Sequence, residues 1–288
     1  MLELPEAEEP SRIADWVELE ISVDSPSLSR SKLASVISES SGSEVSEAFT
    51  SDVWQHLHRR VTRYATPFFR IEDDIVLAAE AVPANALEYR TMLLFSVYGA
   101  SIQEGSEPKL FERTSAEAIC NYLGGCVFVF GWPVLDDVQV QIAARVRQVA
   151  DLMKERFVEA PAVRYLDRGV DIIAWKPFPE PDATSNRTSQ LIMLSQCAAG
   201  RHWRDKTREL PRASWTQYVH WATDPEVGFA VAAVIDDDVW HDVAREVEGV
   251  IFDRVRLINF LPNGVEDPGL RNDLDTWVGA QTEERSIQ

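Results

Sequence analysis

Apolar and polar positions fall into different regimes along the chain. Up to about residue 50 the pattern is thin: Glu and Ser dominate, most clearly in SRSKLASVISESSGSEVSEAFTS. Within this region Trp16 to Val23 (WVELEISV) alternates apolar with polar residues as a half-buried strand would, and the rest reads as a solvated, partly mobile arm. From Ser51 the spacing turns helical. Val53, Trp54, Leu57, Val61 and Tyr64 share a face until Thr66-Pro67 ends the run, and Ile71 to Ala81 and Ala86 to Tyr98 are expected to be further helices. His56 and His58 stand two apart and so cannot share a helix face as a metal pair. With Arg59, Arg60 and Arg63 they predict a basic surface patch.

From Pro108 the periods alternate. A helix carrying Leu110, Phe111, Thr114, Ala118 and Ile119 on one face stops at Gly124-Gly125, the strand CVFVFGW follows, and an amphipathic helix is expected over Val138 to Phe157. Gly169 to Trp175 and Leu191 to Cys197 are apolar runs bounded by Pro, Asn, Asp and Ser, the signature of two buried strands of a hairpin. After a small-residue break at Ala198 to Gly200 comes the helix-compatible HWRDK, then a buried strand over Val227 to Ile235. Asp236 to Asp238 then open a helix reaching Val247. VIFDRVRLINFL reads as strand-like and precedes a polar tail. Helices interleaved with strands predict an α/β class. The expected organisation is an acidic segment 1–50, a helical region 51–105 and a core over 106–288.

Composition narrows the function classes. The 288 residues are 45% hydrophobic, enough for a sizeable core, and carry a formal net charge of -19 from 47 acidic and 28 basic residues. Such a balance disfavours indiscriminate coating of a polyanion. Cys120, Cys126 and Cys197 lie in apolar surroundings without a CxxC pair, which predicts reduced thiols. The acidic N-terminus has no leader pattern and no apolar window reaches about 18 residues, so a cytoplasmic protein without a membrane partner is expected. GxSxG, GxGxxG and GxxxxGK[ST] do not occur, and the Asp236–Asp238 run lacks the spacing of a calcium loop.

What remains is a small set of polar residues inside apolar runs. Asp171 is embedded among Val170, Ile172, Ile173 and Ala174, and Gln196 stands near the end of the next strand. Glu112 lies on the upstream helix, and Lys206 lies beyond Gly200. A carboxylate in a buried strand is costly unless it has a partner or a metal. Arg168 or Arg164 could pair with Asp171, and backbone groups could satisfy Gln196. Trp203 and Trp215 could stack bases or close the core. Arg254 and Arg256, alternating after Asp253, could meet phosphate or form a structural ion pair.

The order helix Glu, strand Asp, strand Gln resembles the PD-(D/E)XK nuclease superfamily, and the glutamine in place of the second carboxylate is most similar to Mrr-type restriction endonucleases. PKLFERTSAEAICNYL looks like the family's helix, RGVDIIAW like its first catalytic strand and LIMLSQCA like its second. The resemblance implies a restriction-endonuclease-like mixed central sheet flanked by helices and a Mg²⁺ (or Mn²⁺) ion held by Asp171, Gln196 and Glu112. It implies hydrolysis of phosphodiester bonds, with DNA as substrate, in bacterial antiviral defence or DNA processing. The family's lysine would fall two residues after Gln196, where this chain has Ala198. Lys206 is the expected replacement and Lys176 the second choice. Arg201, Arg204, Lys206, Arg208 and Arg212 make the most basic segment and are expected to contact nucleic acid, with Arg201, Arg204 and Arg208 foremost. The net charge calls for a partner protein and leaves self-association open. The rival reading is a catalytically inactive regulatory or scaffold subunit that docks an acidic surface on a basic partner.

Overall fold

The computed structural model describes residues 1–5, 9–99, 107–130, 138–159, 169–179, 186–208 and 212–286. Arg164, Asp167 and Arg168, the tip of the expected hairpin and the Arg212 side chain lie outside the described residues. In chain order come α1 (Pro10–Val23), β1 (Ser27–Ser29), α2 (Arg30–Ser41), α3 (Glu47–Val61), β2 (Phe69–Glu72), β3 (Ile75–Ala78) and α4 (Ala86–Tyr98). The next elements are α5 (Glu107–Leu123), β4 (Cys126–Val129), α6 (Val138–Leu152), β5 (Arg156–Phe157), β6 (Ile172–Lys176), β7 (Leu191–Ala198) and β8 (Val219–His220). The chain closes with β9 (Glu226–Val231), α7 (Asp237–Val247), β10 (Val250–Phe252), α8 (Arg254–Asn259) and α9 (Pro268–Arg285). Contacts divide these into two units. One is Met1–Glu107 with Ala199–Arg201 and Arg254–Gln288, and the other is Pro108–Ala198 with His202–Asp253. By contacts the segment from Arg254 onward groups with the N-terminal elements.

In the first unit, Trp16 to Val23 is helix, not strand. α1 is covered all round: Ile13, Trp16, Val17 and Leu19 are buried, and so are Asp15, Glu18 and Glu20. The acids that alternate with Val17, Leu19 and Ile21 in the sequence are thus interior residues with partners, which a polar-means-exposed reading inverts. Arg60 Nη1 donates to Asp15 Oδ1 at 2.6 Å and to Glu18 Oε1 at 2.7 Å, and Arg254 Nη2 reaches Asp15 Oδ1 at 2.7 Å. Tyr64 and Tyr89 hydroxyls also donate to Glu18, and Ser96 to Asp15. Arg60 is therefore no part of a surface patch, and Arg254 sits on a helix in an ion cluster rather than on a strand facing phosphate. The Ser/Glu tract folds into α2, capped by Ser29, whose side chain accepts from Lys32 N, with Leu33 and Ile37 buried. Ile71 to Ala81, expected to be helical, contains the β2–β3 hairpin: Asp73 takes a left-handed φ of 51° and Glu72 pairs with Ile75, while β1 adds to β3. The polar tail is α9, whose Trp277 stacks on Phe95 of α4 with centroids 4.7 Å apart.

The second unit is built on a five-stranded mixed sheet in the order β10-β9-β7-β6-β4. β4, β6 and β7 run antiparallel, whereas β9 lies parallel to β7 and β10 parallel to β9. β7 is central, and apart from Leu191 all its residues are buried. One face packs Ile173, Trp175, Ile192 and Leu194 against Val146, Val149 and Ala150 of α6, Met153 just past its end, and Trp215. Further across that face Val227, Phe229, Val231 and Ile251 pack on Val243 and Val247 of α7. The helix expected to reach Phe157 ends at Leu152, and Arg156–Phe157 instead pair with β8. β7 and β9 touch closely at Gly228, where an added Cβ would collide with Ser195 Oγ, so this crossing admits only glycine without a shift.

Candidate active site

α5 is buried along Leu110–Ala116, with Phe111, Thr114 and Ser115 almost sealed. Glu112 is among these interior positions at 6% exposure, one turn after Lys109. Lys109 Nζ lies 2.8 Å from Glu112 Oε1 and 2.7 Å from Oε2, so a single ammonium grips both carboxylate oxygens. The Lys109 side chain keeps 27% of its surface open.

Asp171 stands one residue ahead of β6. Its backbone is locked on both sides, its N–H donating to Ser195 O at 2.9 Å and its carbonyl accepting from Phe130 N at 2.7 Å. Its Oδ2 accepts from Cys197 N at 2.7 Å, so the carboxylate stands in for a ladder partner at the end of β7. Ile172 pairs with Ser195, and one further step along that register brings Asp171 opposite Gln196. Side chains alternate along β7. Met193 and Ser195 share the face over Gly228, and Cys197 follows them, whereas Leu194 and Ala198 belong to the opposite apolar face and Gln196 lies between those two.

The Cys197 thiol responds to several of these groups. Burial pushes its pKa well above the ordinary value, and the negative charges of Asp171 and Glu112 push it further. The Ser115 hydroxyl and the Lys109 ammonium act the other way. Glu112, Lys109 and Ser115 of α5 and Asp171 before β6 are thus each near enough to Cys197 to bear on its titration. A thiol so placed stays protonated at neutral pH and is no nucleophile. Comparison with protein-family models, curated proteins and solved structures returned no match.

The expected lysines are placed differently. Lys206 is exposed on the 3-10 turn Trp203–Lys206 and makes no ion pair or hydrogen bond among the described residues. Lys176 is exposed at the opposite end of β6 from Asp171, beside Gly124. Five residues of strand separate them, roughly 17 Å, beyond the reach of a lysine side chain to that carboxylate. Ala198 packs in the apolar cluster with Phe229 and Val231, where an ammonium would be desolvated. Lys109, in contrast, pairs with Glu112 on its own helix. The i, i+3 spacing to Glu112 was the available signal.

Of the basic segment, Arg204 is exposed with its guanidinium 5.3 Å from the Trp203 ring centroid, and Arg208 is exposed and paired with Glu246 at 2.8 Å. Arg201 is exposed and belongs to the first unit. Trp215 is fully buried and Trp203 packs near Phe229, so both serve the core. Among the described residues no group of three or more His, Cys, Asp or Glu is arranged to hold a metal. No helix among them is long and apolar enough to cross a membrane.

Proposed function

We propose that the second unit is a metal-dependent nuclease of the PD-(D/E)XK superfamily, hydrolysing phosphodiester bonds in DNA. The observation that carries the reading is Asp171, just ahead of β6 with its carboxylate held by the Cys197 N–H, and the buried Glu112 of the upstream helix, both of whose charges raise the Cys197 pKa. The five-stranded mixed sheet, with Asp171 just ahead of the antiparallel strand β6, supports the reading at the level of an α/β class.

The donor set suits a hard cation. Asp171 and Glu112 would hold Mg²⁺ or Mn²⁺, whereas the Gln196 side chain alternates to the face of Leu194 and Ala198, away from that of Cys197. Two carboxylates make a sparse set, which suits Mg²⁺ because that ion keeps several waters and takes substrate phosphate oxygens as ligands. The bound ion supplies charge stabilisation on the phosphate and a lowered pKa for the attacking water. The chain's own contribution is positional: the Cys197 N–H fixes the Asp171 carboxylate, and Lys109 fixes that of Glu112. Arg204 and Arg208 offer exposed positive charge in the same unit, and Arg201 in the other. With a net charge of -19, delivery of the substrate falls to a local groove or to a partner protein with a basic surface, in bacterial defence or DNA processing.

The test is incubation of purified protein with plasmid, linear DNA and RNA in Mg²⁺ or Mn²⁺, beside Asp171→Asn. The amide keeps an oxygen for the Cys197 N–H, so the variant should fold, yet it should lose cleavage by at least about 100-fold. Wild-type protein that cleaves none of these substrates, or a variant as fast as wild type, would favour the inactive scaffold reading.

A further inference from the structure

We propose that a second copy of this chain pairs with β4, joining two five-stranded sheets edge to edge, an inference that stands apart from the nuclease reading. β4 is an end strand of its sheet and is hydrogen-bonded to β6. Its residues Cys126–Val129 are all half-buried, whereas β6 is buried apart from Lys176. An edge strand presents a row of unpaired N–H and C=O groups, and proteins blunt such rows with lysine, proline, a bulge or a cover. β4 reads Cys-Val-Phe-Val, and among the described residues no strand pairs with its outer side. The other end of the sheet differs: Ile251 and Phe252 of β10 are buried, and the Tyr122 ring meets that of Phe252 edge-on at 5.1 Å. Charge points to a like partner. A net charge of -19 opposes the approach of a second copy over most of the surface, but no charged residue stands between Glu117 and Asp136, so β4 lies in a neutral strip where two copies can meet.

The ladder sets which atoms are free. Phe130 N donates to Asp171 O at 2.7 Å, so Phe130 turns its amide toward the β6 side. That orientation alternates along an antiparallel pair, so Phe128 and Cys126 also turn to β6, while Val127 and Val129 turn their N–H and C=O outward. Two registers about a two-fold axis would keep like faces of the two sheets together. One is centred on Val127 and needs Gly125, which is engaged: its N donates to Cys120 O at 3.2 Å and its O accepts from Cys120 Sγ at 3.0 Å. The other is centred on Phe128 and sets Val127 opposite the partner's Val129, and Val129 opposite the partner's Val127, each pair exchanging two N–H···O bonds. The two Phe128 residues then oppose each other as a non-hydrogen-bonded pair with Cα atoms about 4.5 Å apart. They lie on the face where Phe128 packs against the α6 cluster. A strip of this length belongs with small interfaces, under about 1,200 Å², so the dimer is expected to dissociate on dilution.

The experiment follows the mass of the full chain by light scattering across a wide range of protein concentration, with melting temperature alongside, for wild type, Val129→Pro and Val127→Lys. Wild type should rise from the mass of one chain toward that of two. Val129→Pro removes an outward N–H, the position at which an edge strand accepts proline, so it should melt as wild type does and stay at the mass of one chain. Val127→Lys should do the same, since a charge on an edge strand blocks pairing. The register is read separately, in a Cys120→Ser, Cys126→Ser background treated with oxidised glutathione. There Phe128→Cys should cross-link two chains, because the Cα spacing of that pair suits a disulfide, while Leu191→Cys, exposed on β7, should not. Wild type at the mass of one chain throughout, a dimer that persists in both edge variants, or Phe128→Cys cross-linking no faster than Leu191→Cys would each overturn the inference. None of these outcomes bears on DNA cleavage, so the nuclease reading is judged on its own test.

Discussion

Replacing Arg254 with Met isolates what the ion cluster of the first unit contributes. Arg254 is fully buried, and Asp15 and Glu18 are almost so, with Arg60 the second cation between them. Two carboxylates face two guanidiniums, and the substitution leaves one negative charge uncompensated away from water. Breaking a buried ion pair from one side costs about 3–5 kcal/mol, a large share of the stability of an ordinary domain. The loss has a pH signature. Burial alone would raise the Asp15 pKa, but Arg254 and then Arg60 outweigh it and hold the carboxyl below its ordinary value. In wild type the Asp15 contribution is therefore present above the unfolded value of about 4 and is lost as pH falls through the lower folded value. Without Arg254, burial pushes Asp15 upward, and taking up a proton relieves the orphaned charge. The deficit of the variant should be widest near pH 7 and narrow as pH approaches 4. Urea titration read by hydrogen exchange in peptides covering Pro10–Val23 reports on this unit alone. A deficit under about 1 kcal/mol at pH 7 would refute the reasoning, as would one that does not shrink on acidification.

Two further outcomes are expected. Gly228→Ala drives a methyl group into Ser195 Oγ and should destabilise the second unit by about 1–3 kcal/mol, measured as a lowered urea midpoint in peptides from β7 and β9. Pairing with Ser195→Ala should recover part of that loss. Cys197, buried and with its pKa raised by that burial and by the charges of Asp171 and Glu112, should resist an aromatic disulfide reagent at pH 7.5 in the native protein, while the half-buried Cys120 and Cys126 react first. Prompt labelling of Cys197 would contradict the closed environment described for it.

The strands of the central hairpin were legible because β6 and β7 are buried on both faces and so read as unbroken apolar runs with Asp171 and Gln196 as interruptions. α1 was not, since its interior acids mimic the polar half of a strand and their partners, Arg60 and Arg254, lie far away in sequence. The β2–β3 hairpin was hidden by its Ala and Leu content, which local propensity favours as helix until Asp73 turns left-handed. Helix α8 was masked because Arg254 follows β10 directly and its burial depends on residues of α1. For the site, residue type and order pointed to Glu112 and Asp171. The ion pair of Lys109 with Glu112 on α5 was legible only through their i, i+3 spacing.

The ion cluster also sets a timetable. Arg254 is synthesised 239 residues after Asp15, and at about 5–20 residues per second that gap is roughly 12–50 s. Throughout this interval the nascent α1 carries two acids with Arg60 as their nearest completed counter-charge, whereas the second unit has all its strands before Arg254 is made. On the ribosome, the elements encoded first are therefore the last to be finished, and an arrest of translation anywhere before residue 254 leaves the N-terminal helices without the cation that closes them.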